Sequence, residues 1–310
     1  MRVLVMGSGG LGGYFGGMLA RTGHDVTFVA RGAHLAAMRE RGLEVRTDEE
    51  TYRFPTVAAV AAPSEAAGDF DLILFTVKGY DAEAAANALR PVIGPETAVL
   101  TVLNGVDSAE QLAAILGPEH VLAGTTFIRS TLAAPGVIEQ MGTLRRVVFG
   151  EFAGGPTPRV ARVAEALRAA GIEVEVAQDA RVAVWQKFVM QAPHATMTST
   201  CMMPCGPIRE TPEGDALYRA LIAECVAVGR AGGVALPPDA EETAMGVVWR
   251  FLYEQKTSMS IDYERGNRVE LEQLTGAVVR RGAALGVPTP TFDVLYGVLK
   301  VRALASGGLA

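Results

Sequence analysis

A chain of 310 residues exceeds what one hydrophobic core usually serves, so two domains are expected, and a composition 49% hydrophobic and 20% charged without low-complexity runs is that of an ordinary globular protein. A formal net charge of −6 argues against a nucleic-acid partner, which needs a concentrated basic surface. The longest strongly apolar stretches, such as DLILFTV at 71–77, are far shorter than the roughly 20 residues of a membrane span, and MRVLVMG turns at a glycine where a signal peptide would need its apolar region.

From residue 1 to about 178, short β-branched runs alternate with helical stretches: RVLVMG, GYFGGMLARTG, DVTFVA, then DLILFTV, AVLTVLN, VLAGTTFI, RRVVFG and EVEVAQ. Fully apolar strands separated by helices predict a parallel sheet covered on both faces, a Rossmann-type doubly wound α/β fold. Residues 134–151, two strand-like runs around Met141-Gly142-Thr143, read as a hairpin-like extension of that sheet. From about 181 apolar residues recur at three and four, with glycine-bearing stops and no clear strand, which predicts an all-α C-terminal domain. The domains are accordingly placed at 1–178 and 179–310, with the junction at 176–182.

The first turn carries the strongest motif. Gly7-Ser8-Gly9-Gly10-Leu11-Gly12 fits G-x-G-x-x-G directly after a strand and at the start of a helix, where its backbone N–H groups can approach a pyrophosphate. The residue ending the second strand, nineteen after Gly12, is Arg31, with no acid beside it in sequence, which favours NADP(H) over NAD(H). A solvated loop charge is the alternative reading of Arg31. Lys78 and Asn104 each follow an apolar strand directly and are candidates for lining the nicotinamide side, although Asn104-Gly105 is also ordinary turn chemistry and Lys78 alone could be a surface charge.

In WQKFVMQAPHATMTS, at 185–199, Lys187 and Gln191 stand one helical turn apart in an otherwise apolar helix. A desolvated lysine there suits a general acid, because hydride arriving at a carbonyl leaves an alkoxide that needs a proton. Pro193 removes the usual hydrogen bond to the Val189 carbonyl and predicts a kink, and His194 reads more simply as a packed histidine at that bend than as a cleft residue. Helical spacing places Glu270 on a face with Leu274, Ala277 and Val278, where a carboxylate needs a partner; the alternative is a helix that begins near Glu270. Cys201, Cys205 and Cys225 read as reduced thiols of a cytoplasmic protein; Cys201 and Cys205 with His194 are three candidate ligands where a closed zinc site wants four at recognised spacing, so no metal is expected.

Taken together, GSGGLGGYFG, VARG, TVKGYD, LNGV, WQKF, TSM at 257–259, GNRVELEQLTGAVV and LGVPTPT resemble the ketopantoate reductases (2-dehydropantoate 2-reductases), of the 6-phosphogluconate dehydrogenase-like group, over nearly the whole chain. The resemblance implies NADPH-dependent reduction of a small 2-oxo acid, ketopantoate to pantoate as in pantothenate biosynthesis. It implies Lys187 as general acid, Glu270 as a catalytic carboxylate at both substrate and cofactor, and Ser258 as the substrate-carboxylate contact. Asn104 and Lys78 would serve substrate and cofactor, and Arg31 the 2′-phosphate. The best-known members carry asparagines four and eight residues after the lysine; Gln191, a substrate-binding candidate, and Ala195 stand there instead. A reductase of another oxo acid or of an imine, and a non-catalytic NADP(H) sensor, are the competing readings. A homodimer is common for such architectures.

Overall fold

A computed structural model describes residues 1–305 and 308 of the chain. It divides into two compact units, Met1–Leu103 with Ser108–Ala183, and Asn104–Asp107 with the chain from Val184 onward.

The first unit runs β1 (Arg2–Met6), α1 (Gly10–Arg21), β2 (Asp25–Val29), α2 (Gly32–Arg41), β3 (Leu43–Arg46), β4 (Thr51–Phe54), β5 (Ala58–Val60) and β6 (Leu72–Phe75). It continues through α3 (Ala82–Leu89), β7 (Ala98–Thr101), α4 (Ser108–Leu116), β8 (Val121–Ala134), β9 (Val137–Glu151), α5 (Pro158–Ala169) and β10 (Glu173–Val176). One sheet holds all ten strands in the order β4-β3-β9-β8-β7-β6-β1-β2-β5, with β10 beside β9. Strands β5, β2, β1, β6, β7 and β8 are mutually parallel.

Alternation along the strands sends side chains to two buried faces. Val3, Val5, Phe28, Leu72 and Leu74 pack under Phe15, Met18 and Leu19 of α1, Leu35 and Met38 of α2, and Val160, Val163 and Leu167 of α5. Leu4, Met6, Val29, Ile73 and Phe75 pack under Ala82, Ala85, Ala86 and Leu89 of α3 and Leu112 of α4. The strands are therefore apolar on both sides, as their sequence demanded. The doubly wound architecture follows from that burial.

Two details differ from the sequence reading. The hairpin turns at Pro135-Gly136, between β8 and β9, and the stretch around Gly142 lies within the single strand β9. Ile128 pairs with Arg145 but Arg129 with Met141, so residues 142–144 are absorbed as a bulge because β8 continues alongside and keeps the ladder going. Strands β3, β4 and β5 were not anticipated, all three being short and the first two half-polar. β3 is held parallel to the distant β9, a partner that local pattern does not show.

The second unit contains α6 (Ala180–Cys201) from Val184 on, α7 (Cys205–Arg209), α8 (Pro212–Ala231), α9 (Ala240–Arg250), α10 (Ser258–Arg265), α11 (Thr275–Leu285) and α12 (Pro290–Ala305). Among the described residues no strand follows β10. Its core is built from Trp185, Phe188 and Val189 of α6, Tyr218, Leu221, Ile222 and Cys225 of α8, Val248 of α9, and Phe292 and Leu299 of α12. Each large apolar side chain buried in this way is worth about 1.5–3 kcal/mol. No helix among the described residues is long and apolar enough to cross a membrane.

Helix α6 continues through Pro193 to Cys201. The threonines beyond it turn their hydroxyls to helix carbonyls and to neighbouring elements. Thr196 reaches Thr275 at the start of α11, and Thr198 reaches Thr257 before α10, both at 2.8 Å. These hydroxyl pairs, the first of them buried, seat the segments that carry Glu270 and Ser258 against α6.

Candidate active site

The glycine turn leaves β1 and opens α1, and its glycines have different reasons to be there. Gly7 has φ +102°, and a Cβ on it would meet the Thr76 and Val77 backbone at 2.8–2.9 Å, so the turn requires glycine. On Gly12 a Cβ would fall on the Gly7 carbonyl oxygen and the Thr76 hydroxyl, so the third glycine permits close packing of helix on strand. Above Gly9 there is nothing within 4 Å. That open backbone, at the N-cap of a 12-residue helix without an acid in its first turn, fits a pyrophosphate.

The turn is braced from below. Ser8 is buried, with its hydroxyl donating to the Val29 carbonyl at 2.9 Å, and Thr76 donates to the Gly7 carbonyl at 2.9 Å. His34 Nε2 meets the Ser8 carbonyl at 2.8 Å while Nδ1 accepts from the Gly136 N–H at 2.9 Å, which places the ring proton on Nε2. Gly10 lies close against Ser130 and Thr131 of β8, and Leu11 is half-buried.

Arg31 forms the N-cap of α2 at the end of β2 and is exposed. Its Nη1 stands 3.5 Å from an Asp81 carboxylate oxygen, an acid the local sequence of β2 did not show. Lys78 is exposed at the start of the short 3-10 turn Gly79–Asp81 that follows β6.

In the second unit three of the expected residues come together. Asn104 Oδ1 accepts hydrogen bonds from Lys187 Nζ at 3.2 Å and from Gln191 Nε2 at 2.8 Å. Two donors on Oδ1 fix the amide, and its NH2 group points the other way. The loop that presents Asn104 is held by Gly105, whose φ of +93° and contact with the Gln273 carbonyl exclude a side chain, and by Asp107, which pairs with Arg281 at 2.7 Å and Arg280 at 3.2 Å.

Lys187 is half-buried between the packed residues Trp185 and Phe188, and burial lowers its ammonium from an ordinary 10.5 to about 8. The Glu270 carboxylate pulls in the opposite direction and raises it. Glu270 itself is buried, with 5% of its surface exposed.

Glu270 is not helical, which corrects the face assigned from spacing. Helix α11 begins at Thr275, and residues 270–274 form a turn in which the Leu274 N–H reaches the Glu270 carbonyl at 3.2 Å and the Gly276 N–H reaches Leu271 at 2.9 Å. The apolar residues that suggested a common face belong to the turn and the helix after it. Ser258 is exposed in the first turn of α10, whose Thr257 N-cap accepts from the Ser260 N–H, and it takes no part in the bonds joining Lys187, Asn104 and Gln191.

His194 sits inside the continuous helix, buried, with Nδ1 3.0 Å from the Tyr218 hydroxyl and its ring tilted against Phe251 at 4.5 Å between centroids. Burial, with a contribution from Arg209, lowers it to about 4, so the ring is neutral at pH 7. Ala195 is also fully buried. The threonines at 196 and 198 were missed by sequence reasoning, although polar residues spaced through an apolar helix were the available signal.

A doubly wound sheet with a braced glycine turn, and a helical unit bearing a desolvated lysine, define a Rossmann-type oxidoreductase. The comparisons with known proteins narrow the class. Residues 3–154 match the family described as Ketopantoate reductase PanE/ApbA, and residues 179–303 match its C-terminal counterpart. A Halobacterium salinarum 2-dehydropantoate 2-reductase is 33% identical over 303 residues, spanning 97% of this chain and 98% of its own. A Bacillus subtilis protein named uncharacterized oxidoreductase YkpB is 31% identical over 301 residues, with the same two coverages. The crystal structure of a PanE/ApbA family ketopantoate reductase from Ralstonia eutropha superposes with a TM-score of 0.91 at 34% identity, covering 99% of this chain and all of that one. The chain belongs to the ketopantoate reductase family.

Proposed function

We propose that the protein reduces a small 2-oxo acid to the 2-hydroxy acid with NADPH, the substrate being 2-dehydropantoate and the product pantoate, as in pantothenate biosynthesis. The observation that carries this reading is Lys187, an amine lowered to about 8, bonded to Asn104 beside Gln191 and within the field of Glu270. When bound, the reduced nicotinamide supplies a hydride to the ketone carbon. Lys187 gives its proton to the oxygen that becomes the alcohol, and its charge stabilises that oxygen as negative charge develops.

The remaining residues hold reactants and proton in place. Asn104, with Oδ1 committed to Lys187 and Gln191, aims the lysine and keeps its own NH2 available to an acceptor on substrate or cofactor. Glu270 keeps Lys187 protonated near neutrality and offers an acceptor to a substrate hydroxyl. Ser258 is assigned to the substrate carboxylate, and Lys78 to the substrate and nicotinamide side. The turn from Gly7 to Gly12 receives the pyrophosphate, and Arg31, a guanidinium suited to bidentate phosphate contact, receives the 2′-phosphate.

The test is NADPH absorbance followed across a panel of 2-oxo acids that includes ketopantoate. Consumption with ketopantoate at the highest kcat/KM of the panel is the expected result. Consumption only with other oxo acids, or with none, contradicts the assignment.

A further inference from the structure

The ion pair between Arg31 and Asp81 bears on cofactor choice. Met6, at the end of β1, is paired with Val29 of β2 on one side and Phe75 of β6 on the other, all three strands running parallel. The loops that follow therefore leave the same edge of the sheet, with the glycine turn between them. Arg31 comes from the β2 side and Asp81 from the β6 side, and they meet across that turn at 3.5 Å. The contact runs from Nη1 to Oδ2, with the arginine side chain 70% exposed and the aspartate 34%.

Resting on the assignment of Arg31 to the 2′-phosphate, we propose that Asp81 competes with that phosphate for the guanidinium and so narrows the preference for NADPH over NADH. A carboxylate on Arg31 satisfies part of the charge that would otherwise receive the phosphate. For NADH this penalty does not arise, because a ribose hydroxyl carries no charge and can itself donate to a carboxylate. The arginine is exposed and the aspartate partly so, which bounds the effect: such surface pairs shift equilibria by about two- to fivefold.

The experiment is fluorescence titration of NADPH and of NADH into the full-length wild type, Asp81→Asn, Arg31→Ala and the double variant. Asp81→Asn should bind NADPH about two- to fivefold more tightly, with NADH unchanged or slightly weaker. In the Arg31→Ala background the same substitution should leave NADPH affinity unchanged. Weaker NADPH binding by Asp81→Asn would mean that Asp81 orients Arg31 for the phosphate, and overturns the competition. Equal tightening with and without Arg31 would mean simple repulsion, and overturns it as well. Failure of the underlying cofactor assignment has a separate signature, an Arg31→Ala variant that keeps the wild-type ratio of NADPH to NADH affinity.

Discussion

Reduction should fail on the alkaline side near pH 8, about two and a half pH units below where an ordinary lysine would allow it. With Lys187 at about 8, the ammonium form is about 90% of the enzyme at pH 7 and about 10% at pH 9. The general acid must be protonated to act, so kcat for reduction should drop about tenfold between those pH values, whereas a lysine at 10.5 would leave it nearly flat. Glu270 provides the control, because its carboxylate raises the lysine. In Glu270→Gln the opposing burial is unrelieved, and the alkaline limb should move to lower pH, whatever happens to the absolute rate. The assay is NADPH consumption at saturating substrate in overlapping buffers from pH 6 to 10. A limb near pH 10, or one that stays in place in Glu270→Gln, would falsify the desolvated-acid account of Lys187.

The glycine turn separates a folding role from a binding role. Gly9→Ala meets nothing in the protein and should keep the wild-type melting temperature while losing NADPH affinity tenfold or more, whereas Gly12→Ala collides with the Gly7 carbonyl and should lower the melting temperature as well. Parallel thermal melts and cofactor titrations check the pair. His194 makes the fold acid-sensitive: its folded value of about 4 lies below the free value of 6.5, so the unfolded chain binds the proton more readily. Its stabilising effect is complete above about pH 6.5 and is lost as pH falls toward 4, amounting to about 2 kcal/mol by pH 5. Urea unfolding at pH 7 and pH 5 should show that loss in wild type and a smaller one in His194→Gln; identical losses in both would remove His194 from the explanation.

The parts of this structure that were legible in the sequence are those written locally. Apolar strands such as Leu72–Phe75 show on their own that both faces are covered, and the glycine turn states its conformation within six residues. The spacing of Lys187 and Gln191 likewise puts them on one side of a helix. What is not local was not legible. That both donate to Asn104, more than eighty residues earlier, depends on a loop that packs with the second unit although the chain on both sides of it belongs to the first. Asp81 beside Arg31 depends on strand order, which places β6 and β2 around β1. Glu270 was assigned to a helix because the residues after it are helically spaced, but periodicity does not mark where the first helical hydrogen bond closes. The short strands β3 and β5 owe their state to pairing with the distant β9 and β2, and β4 pairs with β3 in turn.

The central claim is that Lys187 delivers the proton in a hydride reduction of a 2-oxo acid. The direct measurement is a single-turnover reaction of wild type and Lys187→Ala, each preloaded with NADPH and mixed with ketopantoate. Wild type should lose nicotinamide absorbance with formation of one equivalent of pantoate. The variant should bind NADPH with near wild-type affinity yet react at least about a hundredfold more slowly, on the scale of general-acid effects. Equal rates in the two proteins would contradict the account.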